Sequence, residues 1–399
     1  MTIHRRVLIG GAGIALTVIV ATAAGIAQNG TTPPEARYYM DAGTIAGMMG
    51  QGDQHELTLR LGSRLAPAGA PKADHFMPEA ARLGPSVPLE TPVRTKGEET
   101  PSQFQRPKGR LLIYWGCGAH ASPGQPVVID FAKVAAGQFP PGLFSARVPV
   151  EEGPRFGVDR SYGDWPNGQK SKSVSGRSSL VGQHRIAGNY SPEINFALGE
   201  GQDFMDGLRV KARGNPDDST QLDWKPLGNA TGYYAWMFGT KDMDAGKGGD
   251  MVWWASSTTK EFGGGLWNWL SPATVNRLVG QKIVMPPSQT SCTVPAEVKK
   301  AAPGMMMGFV YAYGPEANFV FPERPKDPKV AWHPKWSAKV RYRSMGMVMP
   351  GMPSMGDMMM GRGQDGDARA ADQGDKPRKD CKPKVGGLLG RAIMGKKGC

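Results

Sequence analysis

Fifty-five glycines and 34 prolines are spread along this 399-residue chain. That density of helix breakers restricts the fold more than any other feature. Both residues are well above average usage, both weaken helix interiors, and both mark turns. Little room is left for long helices, and short strands joined by many turns are expected. The chain is long enough to bury one large core or two smaller ones.

Alternation with period two and short apolar runs locate the strands. Residues 55–61 alternate, 111–115 and 127–131 are apolar runs of strand length, and 143–150 alternate again. Weaker candidates are 179–187 and 194–198, while 153–176 is polar and turn-rich. The second half is clearer, with candidates at 208–213, 221–225, 232–238, 251–255, 306–313, 318–321 and 339–343. Such spacing with turn signals between strands suggests a sandwich. One helix stands out: Ser271 can cap it, Pro272 suits its first position, and Gly280 can end it.

The sequence therefore predicts a mainly β chain of one or two antiparallel β-sandwich units with one short helix at about 271–279. Residues 1–27 form a signal peptide or membrane anchor, and 28–105 an extended Pro/Gly-rich linker that contributes one strand. Residues 106–200 make a β unit and 201–343 a β-sandwich unit. Residues 344–399 form a disordered tail, Met-rich and then basic.

Leu222-Asp223-Trp224 followed by Ala230-Thr231-Gly232-Tyr233-Tyr234 resembles the B-to-C strand region of fibronectin type III and related immunoglobulin-like domains. There a buried Trp precedes a turn and a tyrosine-bearing strand. The resemblance implies a β-sandwich over about residues 205–345 and nothing functional.

Arg5 and Arg6 precede an uncharged run from Val7 to Ala27, which closes on Gly25-Ile26-Ala27. That is the pattern of an export signal, cleaved or kept as an anchor long enough to cross a bilayer. The start of the run loosely resembles a twin-arginine signal but lacks the Phe expected after the arginine pair. The rest of the chain is expected on the far side of the membrane, in the periplasm or outer envelope of a bacterium.

Charge follows the same logic. Residues 323–399 carry +9 of the formal +13. A basic C-terminal arm outside the cell points to anionic lipid, lipopolysaccharide or acidic polymer, and away from nucleic acid. Four cysteines in an exported chain favour disulfides, with three possible connectivities. Cys117 is expected to pair with Cys292 in the folded part, and Cys381 with Cys399 in the tail.

Three features could carry chemistry. The first is methionine: Met345, Met347, Met349, Met352, Met355 and Met358 fall within 16 residues together with Met359 and Met360. Soft thioethers suit Cu(I), and the stretch resembles the methionine-rich segments of periplasmic copper-handling proteins, without their interleaved histidines. The second is tryptophan. Six of ten lie between Trp224 and Trp269, and Trp267 and Trp269 would share a face if extended, as a platform for sugar rings. Trp253 and Trp254 should face opposite sides of a strand. The third, Cys117-x-x-His120, has no second ligand pair. No nucleophile elbow and no His-Glu-x-x-His are present. Asp159, Asp164, Glu193 and Asp203 could pair only through the fold. Binding or envelope structure is thus favoured over catalysis, with Cu(I) binding by the Met cluster and glycan binding by exposed Trp as alternatives.

Overall fold

A computed structural model describes residues 32–47, 51–93, 108–136, 138, 148, 150–167, 173–244, 248–261 and 263–350. Nine strands make the main sheet: β1 (Ala36–Ile45), β2 (Gln54–Ser63), β5 (Gly109–Trp115), β6 (Val127–Asp130), β7 (Ser161–Trp165), β12 (Gly232–Asp244), β13 (Gly248–Ala255), β15 (Met306–Phe321) and β16 (Trp336–Val348). Their spatial order is β6-β5-β13-β12-β15-β16-β1-β2-β7. A four-stranded sheet runs β4 (Val87–Pro88), β3 (Ala73–Phe76), β8 (Gly182–Gly188), β9 (Ile194–Leu198). A three-stranded sheet runs β10 (Val210–Gly214), β11 (Thr220–Trp224), β14 (Ser291–Val294). Three helices accompany them among the described residues: α1 (Phe131–Ala135), α2 (Pro272–Gly280) and α3 (Ala296–Ala301).

The main sheet buries side chains on both faces, and alternation decides which goes where. On the inner face, Tyr38, Met40 and Ala42 of β1 join Leu57, Leu59 and Leu61 of β2 and Ala338, Val340 and Tyr342 of β16. The two small sheets cover this face with Ile186, Ile194 and Phe196 on one side and Leu222, Trp224 and Val294 on the other. On the outer face Tyr234, Tyr311, Tyr313 and Met345 meet Val275 and Leu278 of α2, with Leu266, Leu270 and Ile283 from its flanking segments. Helix α2 forms as its residues dictate: the Ser271 hydroxyl accepts from the Thr274 N–H, and Pro272 occupies the first turn.

Residues 28–105 are more than a linker with one strand, since β1 to β4 all lie there. β1 sits deep in the main sheet, paired parallel to β16 and antiparallel to β2. Its inward positions are filled by Ala36, Tyr38, Met40 and Ala42, a set too small and too polar to stand out as an apolar run. The expected division at 200/201 does not separate two units. β5, β6 and β7 share one sheet with β12, β13, β15 and β16. The sheet is also mixed, because β1–β16 and β5–β13 pair in parallel. β16 continues to Val348, past the expected tail boundary at 343.

Two strands expected at 306–313 and 318–321 are one. The register passes from Tyr313 opposite Arg343 to Glu316 opposite Arg341, so Gly314 and Pro315 face Tyr342 alone. That bulge accommodates a proline inside a long strand. The candidate strand at 143–150 falls almost entirely outside the described residues. β11 and β12 belong to different sheets, and Trp224 packs on Tyr233 with ring centroids 5.4 Å apart. No described helix is long and apolar enough to cross a membrane.

Candidate functional site

On the outer face, one half of the main sheet is aromatic and the other charged. The charged half centres on Asp41 of β1, which stands beside Arg341 of β16 and opposite Thr58 of β2. Arg341 donates through Nε to Asp41 Oδ1 (2.6 Å) and through Nη2 to Oδ2 (2.9 Å). Arg60 Nη2 donates to the same Oδ2 at 2.5 Å. The Asp41 and Arg341 side chains are only 2% and 4% exposed. Burial at that level is tolerable for charges that are paired and hydrogen-bonded, and these are.

The same strand then grips the segment that carries the two candidate tryptophans. Arg341 Nη1 donates to the Trp269 carbonyl (2.9 Å), and two residues on, Arg343 Nη1 donates to the Trp267 carbonyl (2.8 Å). The Arg343 guanidinium lies 4.4 Å from the Trp269 ring centre and 4.9 Å from that of Tyr311, so its counterparts among the described residues are rings and a carbonyl. Gly43 permits this closeness, because a Cβ there would stand 3.3 Å from the tip of the Trp269 ring.

Residues 150–155 come down on the other side. Gly153 lies against Tyr39, where a Cβ would be 2.8 Å from the ring. Burial pushes the Glu151 carboxyl up, but the Ser271 N–H and the Ser271 and Thr274 hydroxyls, with Lys339 nearby, outweigh it and hold it below the ordinary carboxylate range. Between these walls is a pocket of about 270 Å3, in which Thr58, Asn268 and Trp269 join Arg60, Arg155 and Arg341 and Asp41, Glu151 and Glu152. Three cations and three anions line it, so their formal charges sum to zero. Its volume is just under the range for drug-sized ligands and suits one small ring.

The structure separates Trp267 from Trp269. Trp267 ends a 3-10 turn and packs on Trp253 and Trp236, at 5.2 and 6.0 Å between centroids, while the Trp269 ring lies against Arg343. The two do not make a shared platform, because a turn rather than a strand carries Trp267. Trp267 remains 40% exposed. Trp254 points into the core, its Nε1 donating to the Gly116 carbonyl at 2.9 Å, and Trp253 faces the other way.

Met345 and Met347 stand in β16, opposite Tyr311 and Phe309, instead of in a flexible loop. Met349 follows the strand, and Met352, Met355 and Met358 lie outside the described residues. Cys117 and Cys292 are bonded to each other, and Cys381 and Cys399 also lie outside the described residues. His120 contacts Glu297, and no described group of three or more His, Cys, Asp or Glu is arranged to hold a metal.

The four carboxylates have four different sets of partners. Asp159 meets Arg37, Asp164 meets Tyr162, Glu193 meets Arg185 and Asn195, and Asp203 meets Ser179 and the Leu180 N–H. Burial pushes the Asp164 carboxyl above its ordinary value, against the Tyr162 hydrogen bond and Arg60.

Sequence reasoning missed Asp41, Arg60, Arg341 and Arg343. The signal was there in part: Lys339, Arg341 and Arg343 alternate with Val340 and Tyr342, which marks one polar face of a strand. Counting them into a basic arm overstated that arm, since Lys339 pairs with Glu316 and Arg341 with Asp41. No protein-family model matches the chain, and no curated protein matches it significantly.

Proposed function

We propose that this chain is an exported, non-catalytic envelope protein that holds one uncharged ring of an envelope glycan in the Trp269 pocket. The observation that carries the reading is the composition of that pocket: Trp269, Thr58 and Asn268 beside formal charges that sum to zero. Aromatic rings with convergent polar groups suit sugar rings, which offer an apolar face and hydroxyl edges. The acids at hand are already engaged, Asp41 by two arginines, Glu151 by the start of α2 and Glu152 by Arg155, which supports binding over acid–base catalysis. Tryptophan fluorescence and calorimetry against neutral and acidic envelope oligosaccharides test it. A neutral oligosaccharide should bind, and Trp269→Ala should weaken it at least tenfold while circular dichroism stays unchanged. No response to any neutral member of the panel rejects the reading.

The basic residues beyond β16 are a second contact in the same proposal, to anionic lipid, lipopolysaccharide or acidic polymer. Deleting residues 353–399 should release the protein from envelope fractions at low salt, where such attraction is strongest. Unchanged partitioning removes this part of the proposal and leaves the pocket untouched.

A further inference from the structure

Inside the molecule, away from the pocket, a polar chain crosses between two sheets. The Tyr38 hydroxyl of β1 is 2.6 Å from Nδ1 of His75 in β3. His75 Nε2 is 3.0 Å from Nδ1 of His184 in β8, and His184 Nε2 is 2.7 Å from the Leu180 carbonyl. All three side chains are buried. A carbonyl only accepts, so His184 must carry its proton on Nε2. Its Nδ1 then accepts from His75 Nε2–H, and His75 Nδ1 accepts from the Tyr38 hydroxyl. Every member is satisfied with both rings neutral, and with both rings neutral only in this direction.

Added protons have no good place. One can be absorbed by reversing the chain, so that His75 donates to the Tyr38 oxygen and the tyrosine proton loses its acceptor. A second leaves two N–H groups facing each other across 3.0 Å. Among the described residues, the surroundings offer no uncommitted counter-charge. Phe196 of β9 stacks on His184, Phe319 of β15 stacks on Phe196, and Val87 of β4 is paired with His75. Arg185 of β8 is turned to Phe76 and Glu193, and Asp203 is held by Ser179 and the Leu180 N–H. Asp41 of β1 acts on Tyr38 and is itself paired with Arg341 and Arg60.

We propose that Tyr38, His75 and His184 form an acid-sensitive latch, holding the four-stranded sheet to the main sheet while both imidazoles are neutral and releasing it when they are protonated. Burial lowers the proton affinity of both rings, and for His75 the neighbouring His184 lowers it further. The unfolded or opened state takes up protons below about pH 6.5. Stability from the latch is therefore complete above that pH and is lost as the pH falls below it. Two such groups change the opening equilibrium by up to about a hundredfold per pH unit until the native rings themselves titrate.

Amide hydrogen exchange on the full chain at pH 7.5 and 5.0, corrected for intrinsic rates, reads this directly. Protection in β3, β8 and β9 should fall at least tenfold more than in β12 and β15. Equal loss everywhere, or none, overturns the latch. The His75→Leu/His184→Leu variant should lose the differential, and its persistence also counts against the proposal. Long-range proton–nitrogen spectra of the native histidines need no variant: both rings should be neutral with Nε2–H at pH 7.5, and a protonated ring there rejects the latch.

Discussion

Arg341→Met should cost about 3–5 kcal/mol of folding stability, the loss typical of breaking a buried ion pair by removing one partner. Arg341 supplies two of the three hydrogen bonds from arginine to Asp41 and also ties the Trp269 carbonyl. Without it, a carboxylate that is almost fully buried retains only Arg60, and the tryptophan-bearing segment loses one of its two clamps. The direction reverses if both partners go. Replacing a buried pair by apolar residues of similar volume is often neutral or stabilising, so Asp41→Leu/Arg341→Met should recover most of the loss. Arg60 tolerates this because its side chain is partly exposed. Urea unfolding of the two single variants and the double variant closes the cycle. A loss under about 1 kcal/mol for Arg341→Met would place this pair with ordinary surface salt bridges and refute its burial.

The pair also shows where sequence reading reaches its limit. Strands whose inward residues are large and apolar were legible: residues 55–61 lie in β2, 111–115 in β5, 194–198 are β9, and α2 begins where Ser271 and Pro272 said it would. β1 was not, because Ala36 and Ala42 fill core positions that only close packing against neighbouring strands makes apolar enough. β3 and β4 are too short to show a period, and β7 is a short edge strand in turn-rich sequence. The site was illegible for a related reason. Asp41 and Arg341 are 300 residues apart, and only the parallel pairing of β1 with β16 makes them neighbours. Trp267 and Trp269 were visible as candidates, but a turn rather than a strand carries the first, and that separated them.

Breaking the Cys117–Cys292 bond should be comparably costly. It links residues 175 apart and ties the segment after β5 to β14, and so the main sheet to the three-stranded one. Closing a loop of that length is worth about 5 kcal/mol on the chain-entropy model, and losing a native disulfide typically costs 2–5 kcal/mol. The Cys117→Ser/Cys292→Ser variant should show that loss as a lower urea midpoint. Treating the native protein with reductant should reproduce it, and adding reductant to the variant should change nothing further. Cys292 is buried beside Leu222 of β11 in register, so Cys292→Ala alone should cost nearly as much as the pair, whereas Cys117 lies at the surface and adds little beyond the bond itself. The bond also bears on location. Oxidised Cys117–Cys292 peptides recovered from protein taken directly from cells would accord with an oxidising compartment. Free thiols in that material, with a urea midpoint that reductant leaves unchanged, would remove both the stabilising role of the bond and the chemical support for export.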